Sequence, residues 1–486
     1  MHLDIAVTGG VVRGRVAEGV AVFLGMPFAA PPARFAAPGP PGPWEGVREA
    51  LAFGPPPPQG AALGPVDLPD DGSGDWLTLN VWAPWEEREP SAPVTSGRPV
   101  LLWIQGGGYV VGASGLPEYD GTRLARDGVV VVTLNYRVGF EGFGWVDGAP
   151  ANRGLLDQVA ALTWVRDNIA AFGGDPARVT AVGQSAGAGC AAALMVMPRA
   201  AGLFARVIAQ SVPGAFLTPA LAADVTAACA AELGVDIPDL AQVEPELLAL
   251  AGDAVLATIR TRTDRWGAAA HGDIVFAPVV DGDVLPSTPW EGLTGEIDLV
   301  VGHTRDEQRL LTLLSGLLGE VTPELARESA LALAPDPQRY LEAYPDPEQL
   351  YEVVRSDWLF RMPSLHLALA QAAAGGRAYL YELTWPAPGM GGMLGACHGL
   401  DVALVLGNLT QGQTAMLLGE VTPEVEAMSA QLRSAWVAFA SDGDPGWPDV
   451  ATGATRIVDV EPVATAYPET LSQEIWRDPP AVLDLR

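Results

Sequence analysis

Short β-branched and apolar runs, most of them closed by glycine or a small polar residue, set the frame of this chain. Val100-Leu101-Leu102-Trp103-Ile104, Val129 to Leu134, Val179 to Val182 and Leu299-Val300-Val301-Gly302 show almost no polar alternation. That is the pattern of strands covered on both faces. Val207-Ile208-Ala209-Gln210-Ser211 and Ala378 to Thr384 read as further strands. Asp75 to Trp82 alternates polar with apolar, as a half-buried strand does. Val20 to Phe28 reads as a strand that runs into the turn Pro31-Pro32, and Pro55 to Pro58 marks a surface loop. Glu86 to Gly97 reads as a polar loop.

Between the strands the period changes to that of helices. Leu155, Val159, Leu162 and Ile169 share one face of a helix predicted over Leu155 to Phe172, stopped by Gly173-Gly174-Asp175-Pro176. Ala188 to Val196 is apolar all round, as a buried helix should be. Residues 218–265 are helical and Ala-rich; 320–375 are helical with breaks at Pro335, Pro337, Pro345 and Pro347; Glu424 to Ala440 is a last amphipathic helix ending near Gly443. Strands alternating with helices predict an α/β fold with a mainly parallel sheet and helices on both faces. No internal repeat or disordered linker divides the chain, so 1–486 reads as one compact domain with a helical insertion at about 320–375.

Composition narrows the function classes. The 486 residues are 49% hydrophobic and 18% charged, enough to build a large core. The formal net charge is −30, and every basic residue is arginine. Such a surface repels nucleic acid and anionic lipid, and the missing lysines exclude Schiff-base chemistry. The apolar runs are too short to span a bilayer, and Met1-His2-Leu3-Asp4-Ile5 lacks the features of an export signal. The three cysteines, Cys190, Cys229 and Cys397, have no metal-ligand spacing, which predicts reduced thiols in a cytoplasmic protein. No metal or cofactor motif is found.

The chemistry gathers on Gly183-Gln184-Ser185-Ala186-Gly187. A serine on a sharp strand-to-helix turn is pushed out at the top of the sheet, and glycines two residues to either side remove collisions with the flanking strand and helix. The helix N-terminus offers the Ala186 N–H to an oxyanion. Gln105-Gly106-Gly107-Gly108, directly after an earlier core strand, lets backbone N–H groups face a ligand. A serine hydroxyl needs a base, and the base needs an orienting carboxylate. Among the five histidines, His2 is terminal, His271 and His303 precede or share the loop of the acid candidates, and His366 lies in a helical pattern. His398, on the Gly-rich loop after a strand, is the candidate base; Asp306 and Glu307 are both candidates for the acid. His303 is a possible pocket residue, and Cys190 and Cys397 read as small buried residues.

Taken together, the chain resembles the type-B carboxylesterases, the family of bacterial p-nitrobenzyl esterases, liver carboxylesterases and cholinesterases. The resemblance rests on Gly25-Met26-Pro27-Phe28-Ala29 with Arg34-Phe35, Leu79-Asn80-Val81-Trp82-Ala83-Pro84, Asn135-Tyr136-Arg137-Val138-Gly139 and Gly154-Leu155-Leu156-Asp157-Gln158. Asn168-Ile169, Phe172 to Pro176, Pro278 to Gly282, Thr304-Arg305-Asp306-Glu307 and His398-Gly399-Leu400-Asp401 extend it over nearly the whole length. It implies an α/β-hydrolase fold whose helical insertions form a substrate gorge. It places the triad on Ser185, Glu307 and His398, and the oxyanion donors on Gly107, Gly108 and Ala186.

Four positions depart from the family pattern. Gln184 replaces the family's Glu beside the serine, removing a charge that steadies an imidazolium or a cationic substrate. Gln105 stands where His or Tyr precedes the glycines. Trp76 takes the place of a cysteine that secreted members use in a disulfide, and Gly74 that of a nearby Glu. Gln105 and Gln184 are thus possible pocket residues, and the last two departures fit a cytoplasmic bacterial member. The resemblance implies a serine carboxylesterase that hydrolyses small-molecule carboxylic esters through an acyl-enzyme without a cofactor, as a monomer or small homo-oligomer. Acyl transfer or cyclisation by the same triad in specialised metabolism, and a non-enzymatic binding protein on this fold, are the alternative readings.

Overall fold

The computed structural model describes residues 1–61, 64, 68, 74–85 and 97–486. The polar stretch Glu86 to Gly97 therefore lies, except for Gly97, outside the described residues. Among the described residues thirteen strands join in one sheet: β1 (His2–Val7), β2 (Gly10–Ala17), β3 (Val20–Pro27), β4 (Val47–Glu49), β5 (Thr78–Pro84), β6 (Arg98–Ile104), β7 (Val130–Leu134), β8 (Gly174–Gln184), β9 (Arg206–Gln210), β10 (Asp298–Thr304), β11 (Ala378–Leu383), β12 (Thr455–Val458) and β13 (Val463–Thr465). Their order is β1-β2-β3-β5-β7-β6-β8-β9-β10-β11-β12-β13, with β4 beside β2. The run from β7 through β12 is parallel, and the pairings at both margins are antiparallel except that β4 lies parallel to β2.

Side chains of the central strands alternate between two apolar layers. Val100, Leu102, Ile104, Val179, Ala181, Val207 and Ala209 enter one; Leu101, Trp103, Val182, Ile208 and Val300 enter the other. A strand that buries both faces has no polar position to spare, which explains its unbroken apolar run. The helices Arg153–Asn168, Ala186–Leu194 and Met362–Ala373 cover the first layer, and Leu400–Leu406 and Pro423–Asp442 cover the second. This is the α/β-hydrolase fold. Among the described residues no helix is long and apolar enough to cross a membrane.

The structure moves several expected boundaries. β8 begins at Gly174, inside the predicted stop signal, because Arg98 pairs with Gly174 before the register shifts ahead of Val100. The irregular pairing accommodates Pro176, which cannot donate to a ladder. The helix before it closes as a 3₁₀ turn over Ile169–Phe172. β10 continues to Thr304, so His303 lies in the strand rather than after it. Of the four expected breaks, Pro337 and Pro347 open helices rather than break them, and Pro323 opens another; each stands behind a cap, with Thr322, Asp336 and Asp346 accepting from Leu325 N, Arg339 N and Gln349 N. Pro423–Asp442 is not the last helix; Thr470–Ile475 follows it, too short to show a period in sequence.

One buried ion pair ties the loop after β7 to the helix below. Asp157 accepts from Arg137 N at 3.0 Å, Nε at 2.8 Å and Nη2 at 2.7 Å, and both side chains are fully buried. Burial alone would lower the guanidinium pKa, but Asp157 raises it above its ordinary value. The Arg137 guanidinium thus keeps its charge although it is buried.

Candidate active site

The C-terminal ends of the parallel strands carry the chemical groups, the edge of an open α/β sheet where ligands gather. At the end of β8 the chain turns through Ser185, held at φ 57°, ψ −127°, and enters the helix Ala186–Leu194. A serine there costs on the order of 1–3 kcal/mol and persists only if the surroundings dictate it. They do: Ser185 N donates to Gln210 O of β9 at 2.9 Å, and Gly189 N donates to Ser185 O at 3.0 Å. The flanking glycines are required by close approach. A Cβ on Gly183 would meet Gly187 O at 2.2 Å, and one on Gly187 would meet Ile104 O at 2.0 Å. The turn is thus clamped between its own helix and the end of β6.

The glycine loop after β6 lies against this turn. A Cβ on Gly106 would fall 3.1 Å from Ser185 Cβ. Gly107 has φ 122°, and its carbonyl accepts from Val110 N and Val111 N, both at 3.0 Å. Among the described residues the N–H groups of Gly107 and Gly108 have no hydrogen-bond acceptor. The Ala186 N–H opens its helix and so has no intrahelical partner.

Glu307 and His398 meet beside the serine. Glu307 Oε2 lies 2.5 Å from His398 Nδ1; Oε1 accepts from Ser211 Oγ at 2.6 Å and from Thr304 N at 2.8 Å. Glu307 is fully buried, which by itself raises a carboxyl pKa; the facing His398 and these donors outweigh burial and bring it below the usual value. A carboxylate so held accepts a hydrogen bond from the Nδ1–H of a neutral imidazole, which leaves Nε2 with a lone pair. Nε2 lies 3.1 Å from Gln184 Nε2, and the Phe360 ring sits 4.3 Å from the imidazole centroid.

Asp306, the other acid candidate, is turned to a different task. Its Oδ2 accepts from Ala396 N at 2.8 Å, and its own N–H donates to Ala396 O at 2.9 Å. It pins the His398 loop to the end of β10, while Glu307 faces the ring.

Two expected pocket residues prove to be packed away. His303 is fully buried, Nδ1 against Thr304 O and Nε2 against Tyr467 OH, each at 3.0 Å. Burial first, then Arg361, pushes its pKa down to about 4, so it is a neutral part of the core behind Glu307. Gln105 is fully buried under the glycine loop, its carbonyl accepting from Tyr136 OH at 2.7 Å and its Cγ close to Gly112. Gln184 does reach the site. Cys190, Cys229 and Cys397 are free and buried, and burial pushes each thiol up to about 12. None is an activated nucleophile at neutral pH.

Sequence reasoning missed Ser211 and Phe360. Ser211 is another non-glycine residue at positive φ, 57°, at the end of the strand beside β8; its place at that edge was the available signal. Phe360 lies in a single π-type turn, Asp357–Arg361. Such turns are frequent at functional sites but leave no pattern in sequence.

Comparison with known proteins places the chain. Residues 2–328 match the sequence profile of the Carboxylesterase family. The chain is 36% identical to the para-nitrobenzyl esterase of Bacillus subtilis (strain 168), over 96% of this chain and 97% of that one. It is 34% identical to the phenmedipham hydrolase of Pseudarthrobacter oxydans, over 90% of each. Among solved structures, a PNB esterase superposes with a TM-score of 0.84 at 35% identity, covering 98% of this chain and 99% of that one. The Geobacillus stearothermophilus carboxylesterase does so with a TM-score of 0.83 at 33% identity, covering 97% and 99%.

Proposed function

This chain belongs to the carboxylesterase family and is a carboxylic ester hydrolase, and from that premise we propose that Ser185, His398 and Glu307 form its catalytic triad. Ser185 Oγ attacks the ester carbonyl carbon while His398 Nε2 takes the hydroxyl proton. Glu307 holds the ring by Nδ1–H and stabilises the imidazolium. The N–H groups of Gly107, Gly108 and Ala186 receive the oxyanion, each worth about 3 kcal/mol in the transition state. The carbonyl re-forms, the alkoxide leaves with the proton from His398 Nε2, and an acyl ester stays on Ser185. Water, deprotonated by the same nitrogen, releases the acid and restores the serine.

The observation that carries this reading is the 2.5 Å contact of Glu307 Oε2 with His398 Nδ1 beside the strained Ser185 turn. The substrates are small-molecule carboxylic esters, and no cofactor takes part. The sheet that runs from His2 to Thr465 supports reading 1–486 as one catalytic domain, with the helices between 320 and 375 as an insertion over the site. The free, buried cysteines suit a bacterial cytoplasmic enzyme, working as a monomer or small homo-oligomer.

The test is hydrolysis of p-nitrophenyl acetate, butyrate and octanoate by wild type and Ser185→Ala, with an organophosphate probe mapped by mass spectrometry. The expected result is one adduct, on Ser185, and a loss in kcat on the order of 10⁶ for the variant. A variant with near-wild-type turnover would remove Ser185 from the mechanism. A labelled Ser185 with negligible turnover into water would point to acyl transfer instead.

A further inference from the structure

The contact between Gln184 and His398 gives the glutamine a part in the reaction that its place beside the nucleophile does not by itself assign. The argument rests on the triad proposed above. With Nδ1–H engaged by Glu307, a neutral His398 offers only a lone pair at Nε2. Gln184 Nε2 lies 3.1 Å from that atom, so the amide N–H is the donor. The other end of the amide faces the glycine loop: a Cβ on Gly106 would lie 3.1 Å from Gln184 Oε1. The Nε2 partner in the structure is Gln184; among the described residues Ser185 Oγ makes no hydrogen bond to the ring. The lone pair held by Gln184 is the one that has to take the serine proton.

We propose that Gln184 is a positioning residue that holds the resting imidazole by its Nε2 lone pair, fixing the Nδ1–H tautomer, and yields that lone pair to Ser185 when the ester is seated. The holder is itself well fixed. Gln184 ends β8, is 7% exposed, and pairs with Gln210 of β9. Phe360 packs against the ring at 4.3 Å. The consequence is electrostatic. An amide N–H aimed at Nε2 favours the neutral, base-competent ring, because a protonated Nε2 would face another donor. A carboxylate in the same place would favour the imidazolium.

The charged and titratable groups facing the ring are few. Glu307 comes from the helix Glu307–Leu314 and Asp401 from the helix Leu400–Leu406. His303 of β10 and Tyr381 of β11 interact with Glu307, and Tyr381 OH donates to Asp401. The neighbouring Cys397 thiol, pushed up to about 12, is uncharged. None of these changes when residue 184 is replaced, so the difference between variants reports on that position alone.

The experiment is the pH dependence of kcat/KM for p-nitrophenyl butyrate in wild type, Gln184→Met and Gln184→Glu. The acid limb is expected at successively higher pH in that order, displaced by about half a unit for Met and by about one unit or more for Glu. Superposed limbs, or any other order, overturn the proposal. Ring-¹⁵N NMR of the wild type above pH 8 gives a reading that needs no variant to fold. Nδ1 protonated and Nε2 a hydrogen-bonded acceptor supports the proposal; an Nε2-protonated ring overturns it. The organophosphate probe keeps the two readings apart. An unlabelled Ser185 removes the triad itself, whereas a labelled Ser185 with unordered limbs removes only the role of Gln184.

Discussion

Two buried carboxyl groups lie on adjoining helices and are driven in opposite directions. Glu307 is fully buried and receives one serine hydroxyl, Ser211 at 2.6 Å, and one backbone N–H, Thr304 at 2.8 Å. Glu352, on the helix Pro347–Ser356, is 7% exposed and likewise receives one serine hydroxyl, Ser356 at 2.7 Å, and one backbone N–H, Gln308 at 3.0 Å. Yet Glu307 is held below its ordinary pKa, whereas burial pushes Glu352 up to about 7. Depth and the serine and backbone donors are much alike, so these do not decide the outcome. The remaining neighbours do: Glu307 also receives the His398 Nδ1–H at 2.5 Å, whereas Glu352 has the like charge of Asp306 nearby, opposed by Arg309. The histidine that Glu307 faces is thus also the largest influence keeping that carboxyl ionised in a dry site.

The sharpest way to break this comparison is Glu307→Gln, which keeps the shape and removes the charge. Its kcat is expected to fall about 10⁴-fold, the scale of loss when a triad acid becomes an amide, with the fold retained. Steady-state hydrolysis of p-nitrophenyl butyrate measures it. A loss within about tenfold would mean that the carboxylate only fills space.

The same pair shows what was legible in the sequence. Ser185 stands on a local pattern, a serine between close-approach glycines, and that pattern survives in one dimension; Glu307 shared its place after a buried strand with Asp306, and the family resemblance rather than the pattern chose between them. The central strands were legible for the same reason, because burial on both faces forbids polar residues. Glu352 was not legible: its environment is made by the helix 307–314 and by Ser356, a turn away on its own helix, and a lone Glu in an amphipathic helix reads as a solvated face. His303 failed in the opposite sense, since the fit of its two ring nitrogens to Thr304 and Tyr467 is set by a residue far along the chain. The Gln184 contact spans 214 positions; the substitution was visible, but its geometry was not.

A second prediction uses pH. A carboxyl raised from 4.5 to about 7 binds its proton more tightly in the folded state than in the unfolded one. The sign is therefore fixed: its share of the stability is present below pH 4.5 and is lost as pH rises through 7. Across that window Glu352 costs the wild type on the order of 3 kcal/mol, which Glu352→Gln does not lose. Thermal midpoints from pH 4.5 to 8 should show the variant gaining on the wild type as pH rises. Parallel curves would mean that Glu352 is ionised in the folded protein, and the contrast with Glu307 would vanish.

The finest test removes the two matching hydroxyls in turn. Ser211 donates to an ionised carboxylate, and a hydrogen bond to a charged group is worth about 1.5–3 kcal/mol. At pH 6 Ser356 faces a carboxyl that is mostly protonated, where a neutral hydrogen bond is worth about 0.5–1.5 kcal/mol. Ser211→Ala also leaves Thr304 N as the one remaining donor to Glu307 Oε1, so the carboxylate is less firmly oriented toward the ring. It is expected to lower kcat about tenfold and to destabilise the fold by about 2 kcal/mol. Ser356→Ala at pH 6 is expected to leave kcat unchanged and to destabilise by about half as much. Above pH 7, where Glu352 ionises, the cost of Ser356→Ala should grow toward that of Ser211→Ala, while the cost of Ser211→Ala stays level. Denaturant midpoints of both variants at pH 6 and pH 8 read this directly. Equal costs at pH 6 would show that the two carboxyls share one charge state, and that His398 does not set them apart.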